Sequence, residues 1–404
     1  MRISTQTFYD RSLNSLQSQQ TALSRLGMQV GTQTRVMTAS DDPIAAIRAL
    51  GIGKSLSVNA QFAASRTQAN QSLGLSDNVL GNVASTTHKI KELLVQAGDN
   101  ALSDVDRAAI ATQLESQMDQ LMGLANTRDG NGQYLYAGFK SASPPFIKQA
   151  DGSVSYVGDQ GERLMQVDAA RQMAANDNGR SIFQSVQANA KYIGSTPASN
   201  TGSAMFKGTS VVNANDPNFG KDFDITFLAG EYKVMTKDTP PVVIATGPYK
   251  DGGTITFGGM QMAVTGTPVD GDVIHVTTAK NAGTDMFSAL SDVISALRQP
   301  ASGGGSPAFA KINNALSTAN VKFSNALDNV LTVATSVGAR MAELDMLDEG
   351  GEDRRVSEEG SLENLVGLDM IGAISQLERQ KMAMQATMLT IMKVQSLSLM
   401  DYVK

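Results

Sequence analysis

Few residues in this chain have types and spacings that could carry chemistry, and each meets a simpler reading. His88 and Glu92 form one H-x-x-x-E pair at helical spacing. A metal centre needs three or four ligands, and the chain has no cysteine and one other histidine, His275, in a distant strand pattern. A solvated helix face is therefore expected at His88, and His275 has no partner that the sequence can name. DGNGQYLYAGFK (Asp129 to Lys140) begins like a calcium loop but places Tyr134 where the turn glycine belongs and Lys140 where the bidentate Glu belongs. SGGGSP (Ser302 to Pro307) lacks the lysine and spacing of a phosphate loop. Asp41 and Asp42 could pair as a catalytic dyad, but Pro43 follows them at once. Proline lacks an N–H and holds a helical φ, so it suits the first position of a helix. On that reading Asp42 accepts the next free amides and Asp41 adds favourable charge at the same helix start, after Ser40. ELDMLDEGGEDRRVSEE (Glu343 to Glu359) sets eight carboxylates against Arg354 and Arg355. A solvated turn between helices is expected there, with an electrostatic contact to a basic partner or neighbouring subunit as the functional alternative.

The elements that must position these residues are mostly long helices. In steps of seven, Tyr9, Leu16, Leu23, Val30 and Met37 form an apolar seam, and the positions four on are Leu13, Gln20, Gly27 and Thr34. The other end repeats the pattern with Met370, Leu377, Met384 and Ile391, followed four on by Ile374, Lys381, Met388 and Gln395, with Val394, Leu397 and Leu399 extending it. Each end reads as one amphipathic helix of roughly 30 residues, ~45 Å long at 1.5 Å per residue. Seams this narrow suit coiled-coil-like partners better than a globular core. Two such helices alone leave apolar surface wet, so their packing is expected to be completed by other copies of the chain.

Further helical patterns use Leu73, Ser76, Leu80, Val83, Thr87, Ile90, Leu94 and Ala97; Ile110, Leu114, Leu121 and Leu124; Phe287, Leu290, Ile294 and Leu297; and Leu316, Ala319, Phe323, Ala326, Val330, Val333, Val337 and Leu344. QPASGGGSP (Gln299 to Pro307) reads as a linker. Glycine and β-branched residues increase from about residue 134 to 183 and from 207 to 279. FIKQADGSVSYVG is a hairpin pattern turning at Asp151-Gly152, TITFGGMQMAV another turning at Gly258-Gly259, and DVIHVTTA a further strand. The order helices, β, helices predicts an α+β fold: a discontinuous long-helix coiled-coil bundle drawn from both chain ends, with an inserted β-rich domain.

Totals limit the function classes. The 404 residues carry a net charge of −6, which disfavours nucleic-acid binding, and no stretch approaches the ~20 apolar residues of a membrane span, so no membrane insertion is expected. Zero cysteine removes disulfides, thiolate metal sites and thiol catalysis, and fits an exported protein. The first thirty residues lack a cationic start followed by an apolar run, so no cleaved signal peptide is expected. No cofactor is called for, and no constellation of residues reads as an enzyme's.

Four stretches resemble the bacterial flagellar axial proteins of the flagellin superfamily, and among them the hook-associated proteins of the hook–filament junction. They are MRISTQTFYDRSLNSLQSQQTALSRLGMQVGTQTRVMTASDDPIAA, GNGQYLYAGFKSASPPF, YVGDQGERLMQVDAARQMAANDNGRSIF and LDMIGAISQLERQKMAMQATMLTIMKVQSLSLMDYVK. The second and third are the more specific, because flagellin looks different there; a flagellin-type filament subunit is the alternative reading. The resemblance implies a structural protein, not an enzyme, with terminal coiled-coil helices over 1–40 and 365–404 that form an inner tube and order on assembly. It implies a helical domain with β-hairpins over 41–186 and 285–364, and a β-rich outer domain over 187–284. It implies a homo-oligomer ring, with the preceding hook-associated protein on the hook side and flagellin on the filament side. An export chaperone is expected at the C-terminal helix, and passage through the flagellar type III channel to the extracellular flagellum. The Ser40-Asp41-Asp42-Pro43 break is then the joint between tube helix and subunit body.

Overall fold

The computed structural model describes residues 5–402 apart from Asp151, with side chains described at Thr7 and from Tyr9 to Lys393. Asp151 of the first hairpin turn, and the extension of the C-terminal stripe through Val394, Leu397 and Leu399, lie outside the described residues and side chains. The chain divides into two compact units, one of residues 1–64 and 347–404, the other of residues 65–346.

The first unit is helical. It holds α1 (Thr5–Thr32), the start of α2 (Pro43–Ala97), the end of α6 (Gly305–Val366) and α7 (Met370–Tyr402). α1 packs against α7, and the antiparallel bridge between Thr34 and Gly367 fixes their opposite directions. α2 packs against α6. Here the inward positions of α2 are Ala45, Ala49, Ile52, Leu56 and Asn59, alternating four and three as a helix seam requires. Ser55 Oγ donates to Glu358 Oε1 (2.5 Å) and Asn59 Nδ2 to Gly351 O (2.7 Å) across that pair.

The acidic stretch from Glu343 to Glu359 is not a turn. It lies within α6, and Gly350 and Gly351 are helical. Glycine costs a helix interior about 1 kcal/mol, but a helix packed along its length tolerates that loss. Arg355 also bridges Glu352 and Glu359, one turn to either side, at 2.5 and 2.7 Å. The linker expected over Gln299 to Pro307 is shorter than predicted, because α6 already begins at Gly305. Pro307 sits in the first turn, where its missing N–H has no helical acceptor to lose.

The second unit contains α3 (Asp104–Ala125), α4 (Gly179–Phe183), α5 (Met286–Leu297) and the body of α2 and α6. Every residue of the predicted Leu73 to Ala97 stripe is buried, as are Phe287, Leu290, Ile294 and Leu297 of α5. Two hairpins join it: β1 (Phe146–Lys148) with β2 (Val154–Tyr156), and β3 (Leu164–Asp168) with β4 (Arg171–Ala174). Phe146, Phe183 and Phe287 stack with centroids 5.2–6.1 Å apart, so one aromatic cluster fastens a hairpin to two helices.

The inserted β region has nine strands: β5 (Ile193–Ser195), β6 (Met205–Phe206), β7 (Ser210–Val211), β8 (Phe223–Leu228), β9 (Glu231–Thr236), β10 (Val243–Pro248), β11 (Thr254–Phe257), β12 (Met260–Thr265) and β13 (Val273–Thr277). One antiparallel sheet has the order β10-β9-β8-β13-β5, the other β11-β12-β6 with β7 also on β12. Alternate residues such as Phe223, Ile225, Phe257, Met262, Val264, Ile274 and Val276 share one apolar core. Gly258 and Gly259 take φ of 51° and 75°, the two positive values a tight hairpin between β11 and β12 needs.

Three buried asparagines of α6 hold α4, the loop that leads into this region and its strand β6. Asn314 accepts from Phe206 N–H and donates to Ala204 O, and Asn325 does the same with both backbone groups of Lys191. Asn329 Nδ2 donates to Ser181 O and Ile182 O while its Oδ1 accepts from Gln187. Strand and loop backbone that would be buried unpaired is thereby satisfied from one helix face.

Candidate assembly surface and paired hinge

The helix pair of α1 and α7 has a partly polar seam. The half-buried and buried positions include Leu16, Gln19, Leu23, Leu26 and Val30 on α1, and Ala373, Leu377, Gln380, Met384, Thr387 and Ile391 on α7. Their spacings alternate three and four, the signature of a helix facing one helix. Gln19 Nε2 donates to Thr387 Oγ1 at 3.4 Å, and Gln29 Nε2 to Arg35 O at 2.7 Å. Of the predicted stripes, Leu16, Leu23, Val30, Met370, Leu377, Met384 and Ile391 are the half-buried members. Tyr9 (45 % exposed), Leu13 (47 %), Met37, Ile374 and Met388 remain open. The companions on α1 lie three residues on, at Gln19 and Leu26, and not four, because the side on which α7 lies sets the phase.

Much apolar surface on this unit is uncovered. Ile371, Met382, Leu389 and Met392 of α7 are exposed, as are Ile44, Ile47 and Leu50 at the start of α2. Each such side chain is worth about 1.5–3 kcal/mol if fully covered.

The two breaks in the helices are bound to each other. Gln33 ends α1 with φ of 56°, and Arg35 N–H then donates to Val366 O at 2.7 Å while Leu368 N–H donates to Gln33 O at 3.2 Å. Arg35 Nη2 donates to Leu365 O at 2.8 Å. Gly367 is required at this crossing, since a Cβ there would lie 2.4 Å from Glu363 O. Asp369 opens α7 by accepting from Gly372 N–H at 3.1 Å.

The Ser40 to Pro43 segment divides its labour. Pro43 is the first residue of α2, and Asp42 Oδ1 accepts from Ala45 N–H at 3.0 Å. Asp41 faces the other way, so the expectation that it adds charge at the α2 start gives way to a different role. Its Oδ2 accepts from Met37 and Thr38 N–H at 3.0 and 2.9 Å, and its Oδ1 meets Arg25 Nη2 of α1 at 2.6 Å. The Thr38 amide, foremost among these donors, holds the Asp41 carboxyl below the usual carboxylate range. Ser40 and Thr38 hydroxyls lie 2.8 Å apart, and Arg35 is 3.6 Å from Asp42. The break is therefore a knot of side-chain-to-backbone bonds, which sequence reading located but could not connect to residues 365–369.

The residues weighed for chemistry fall elsewhere. His88 and Glu92 lie on the exposed face of α2. His275 Nδ1 lies 2.6 Å from Asp224 Oδ1, its cross-strand neighbour, and Lys237 Nζ reaches the same oxygen at 3.2 Å. Among the described residues no group of His, Asp and Glu is placed to hold a metal, and no helix is long and apolar enough to cross a membrane.

Residues 3–141 match the family described as the bacterial flagellin N-terminal helical region. Over 399 residues, 99 % of this chain and 98 % of the relative, the sequence is 31 % identical to flagellar hook-associated protein 3 of Salmonella typhimurium. The chain belongs to the flagellar hook-associated protein 3 family. Its counterpart in Escherichia coli is 29 % identical over the whole of both chains. Hook-associated protein 3 of Legionella pneumophila superposes with a TM-score of 0.69 at 26 % identity, over 78 % of this chain and 98 % of that one. FlgL of Xanthomonas campestris gives 0.68 at 27 %, over 77 % and 99 %. A member of this family is a structural component of the flagellum at the junction of hook and filament, not an enzyme.

Proposed function

We propose that the chain joins hook to filament by self-assembly through α1 and α7. In this reading residues 1–40 and 365–404 form the shared inner tube, 41–186 and 285–364 the subunit body, and 187–284 the outward β-rich domain. Copies form a ring, seated on the preceding hook-associated protein and capped by the first flagellin subunits. The chain travels to the extracellular flagellum through the type III export channel without a cleaved signal, and a chaperone covers the C-terminal helix on the way.

The observation that carries this reading is the uncovered apolar surface of the helix pair, from Tyr9 and Leu13 to Ile374 and Met388, beyond what α1 and α7 bury in each other. Ordering a terminal helix costs on the order of 1–2 kcal/mol per residue in backbone entropy, and covering those side chains by neighbouring copies offsets it. Deleting the first or last thirty residues is expected to leave a soluble, folded central fragment that fails to occupy hook ends by immunoelectron microscopy. Normal occupancy by either truncated chain would refute the proposal.

A further inference from the structure

The start of α2 and the acidic end of α6 carry opposite, unanswered charge on faces that point away from each other. From residue 43 to 64, α2 contains Arg48 and Lys54 and no acidic residue. Its outward positions, opposite the Ala45, Ile52, Leu56 and Asn59 seam, are Ile47, Leu50, Lys54 and Val58. Ile47 and Leu50 are 73 % and 77 % exposed, although both lie on the first turns of a helix whose other face is packed. From residue 347 to 366, α6 carries seven carboxylates against Arg354 and Arg355. Leu347, Gly351 and Glu358 turn inward, so its outward stripe is Glu349, Asp353 and Val356, with Glu363 at its edge. Val356 is 57 % exposed.

The ion pairs of this region leave the outward charges over. Arg355 serves Glu352 and Glu359, and Glu358 accepts from Ser55 on the inward side. Arg48 and Lys54 make no ion pair among the described residues, and neither do Glu349, Asp353 and Glu363. The α2 stripe thus sets Lys54 among apolar residues and the α6 stripe sets Val356 among carboxylates, so the two are opposite in sign. Within one unit they cannot meet, because α2 and α6 already face each other through their inward seams.

We infer that the Ile47–Leu50–Lys54 stripe of α2 in one copy packs against the Glu349–Asp353–Val356 stripe of α6 in the next copy. This rests on the reading that copies assemble side by side, and adds which surfaces meet. Opposite faces of one helix pair that complement each other give a head-to-tail contact, the kind that closes a ring, and not a two-fold dimer. The apolar residues supply burial, and the charges reject like-with-like pairings of α2 on α2 or α6 on α6.

Charge exchange in the full chain tests the contact. The variant Lys54→Glu, and separately Glu349→Lys with Asp353→Lys, is expected to lower hook-end occupancy at least five-fold. Combining all three substitutions is expected to restore it to within two-fold of the parent chain. Occupancy unaffected by either variant, or a combined variant no better than the two separate ones, overturns the inference. Because the chain has no cysteine, copies carrying only Leu50→Cys can be mixed in one flagellum with copies carrying only Val356→Cys. A short bismaleimide should link them into dimers, and intact flagella that give no dimer also overturn it, even where a charge variant fails to fold. Failure of the wider assembly reading is distinguishable, since it would show as normal occupancy by the truncated chains.

Discussion

At the scale of single residues, short polar side chains holding backbone explain most of the local architecture. Asp159 accepts from Phe139, Lys140 and Gly161 N–H at 2.8–3.0 Å, and Tyr156 OH donates to Asp159 O at 2.6 Å. These contacts join the YLYAGFK and YVGDQGE stretches. Gly138 lies under that knot with φ of 67°, and a Cβ there would fall 2.7 Å from Asp159 O. Gly138→Ala should therefore destabilise the second unit by about 2 kcal/mol or more, read as a lower midpoint in urea. Asn329→Ala leaves Ser181 O, Ile182 O and Gln187 short of partners and should cost about 2 kcal/mol by the same measurement. Asp41 sets a pH dependence. Its folded pKa is depressed below 3.8, so its contribution is complete above that value and is lost as pH falls through the folded pKa. The Met37 and Thr38 amides should stay protected from hydrogen exchange at neutral pH and lose protection only below pH 3.8. Loss between pH 5 and 7 would contradict this account.

At the scale of elements, helix continuity is where residue preferences and packing disagreed. Two adjacent glycines amid carboxylates suggest a turn, yet α6 passes through them. Gly350 has open space around its Cβ position and no positive φ, so Gly350→Ala should raise stability by roughly 0.5–1 kcal/mol, measured by thermal unfolding. A loss of stability there would mean that the helix does not persist in solution. The reverse holds at residues 33–42. Helix-compatible residues stop there because Gln33 and Gly367 are bound into an antiparallel crossing. Removing that crossing requires breaking both strands of the contact, so the paired break acts as one element although its halves lie over 300 residues apart in sequence.

At the scale of the whole molecule, the terminal helices bury one mostly apolar seam in each other and leave further apolar residues exposed outside it. A self-sufficient domain seldom leaves so many open, and the pattern fits a subunit whose folding ends with its neighbours. Hydrogen exchange of the dilute chain and of isolated flagella should differ most in α1 and α7, with large added protection on assembly. Equal protection in both states would place the stability of these helices within the single chain.

The periodicity of Leu16, Leu23, Leu377 and Met384 by itself determined that both ends are helices, and Pro43 and the Gly258-Gly259 pair marked a helix start and a turn, because these signals depend on neighbours within a few residues. The inserted β-rich region was legible for the same reason, since strand alternation and turn glycines are local. Only the tertiary structure decided that Asp41 binds Arg25 and not the next helix, that α1 uses Gln19 and Leu26 as its inner companions, and that Asn314, Asn325 and Asn329 anchor chain segments more than 100 residues away. A hydrogen-bonding side chain carries no mark of its partner when that partner is backbone, which every residue possesses. The phase of a seam likewise depends on where the facing helix lies, and a helix's own sequence does not contain that position.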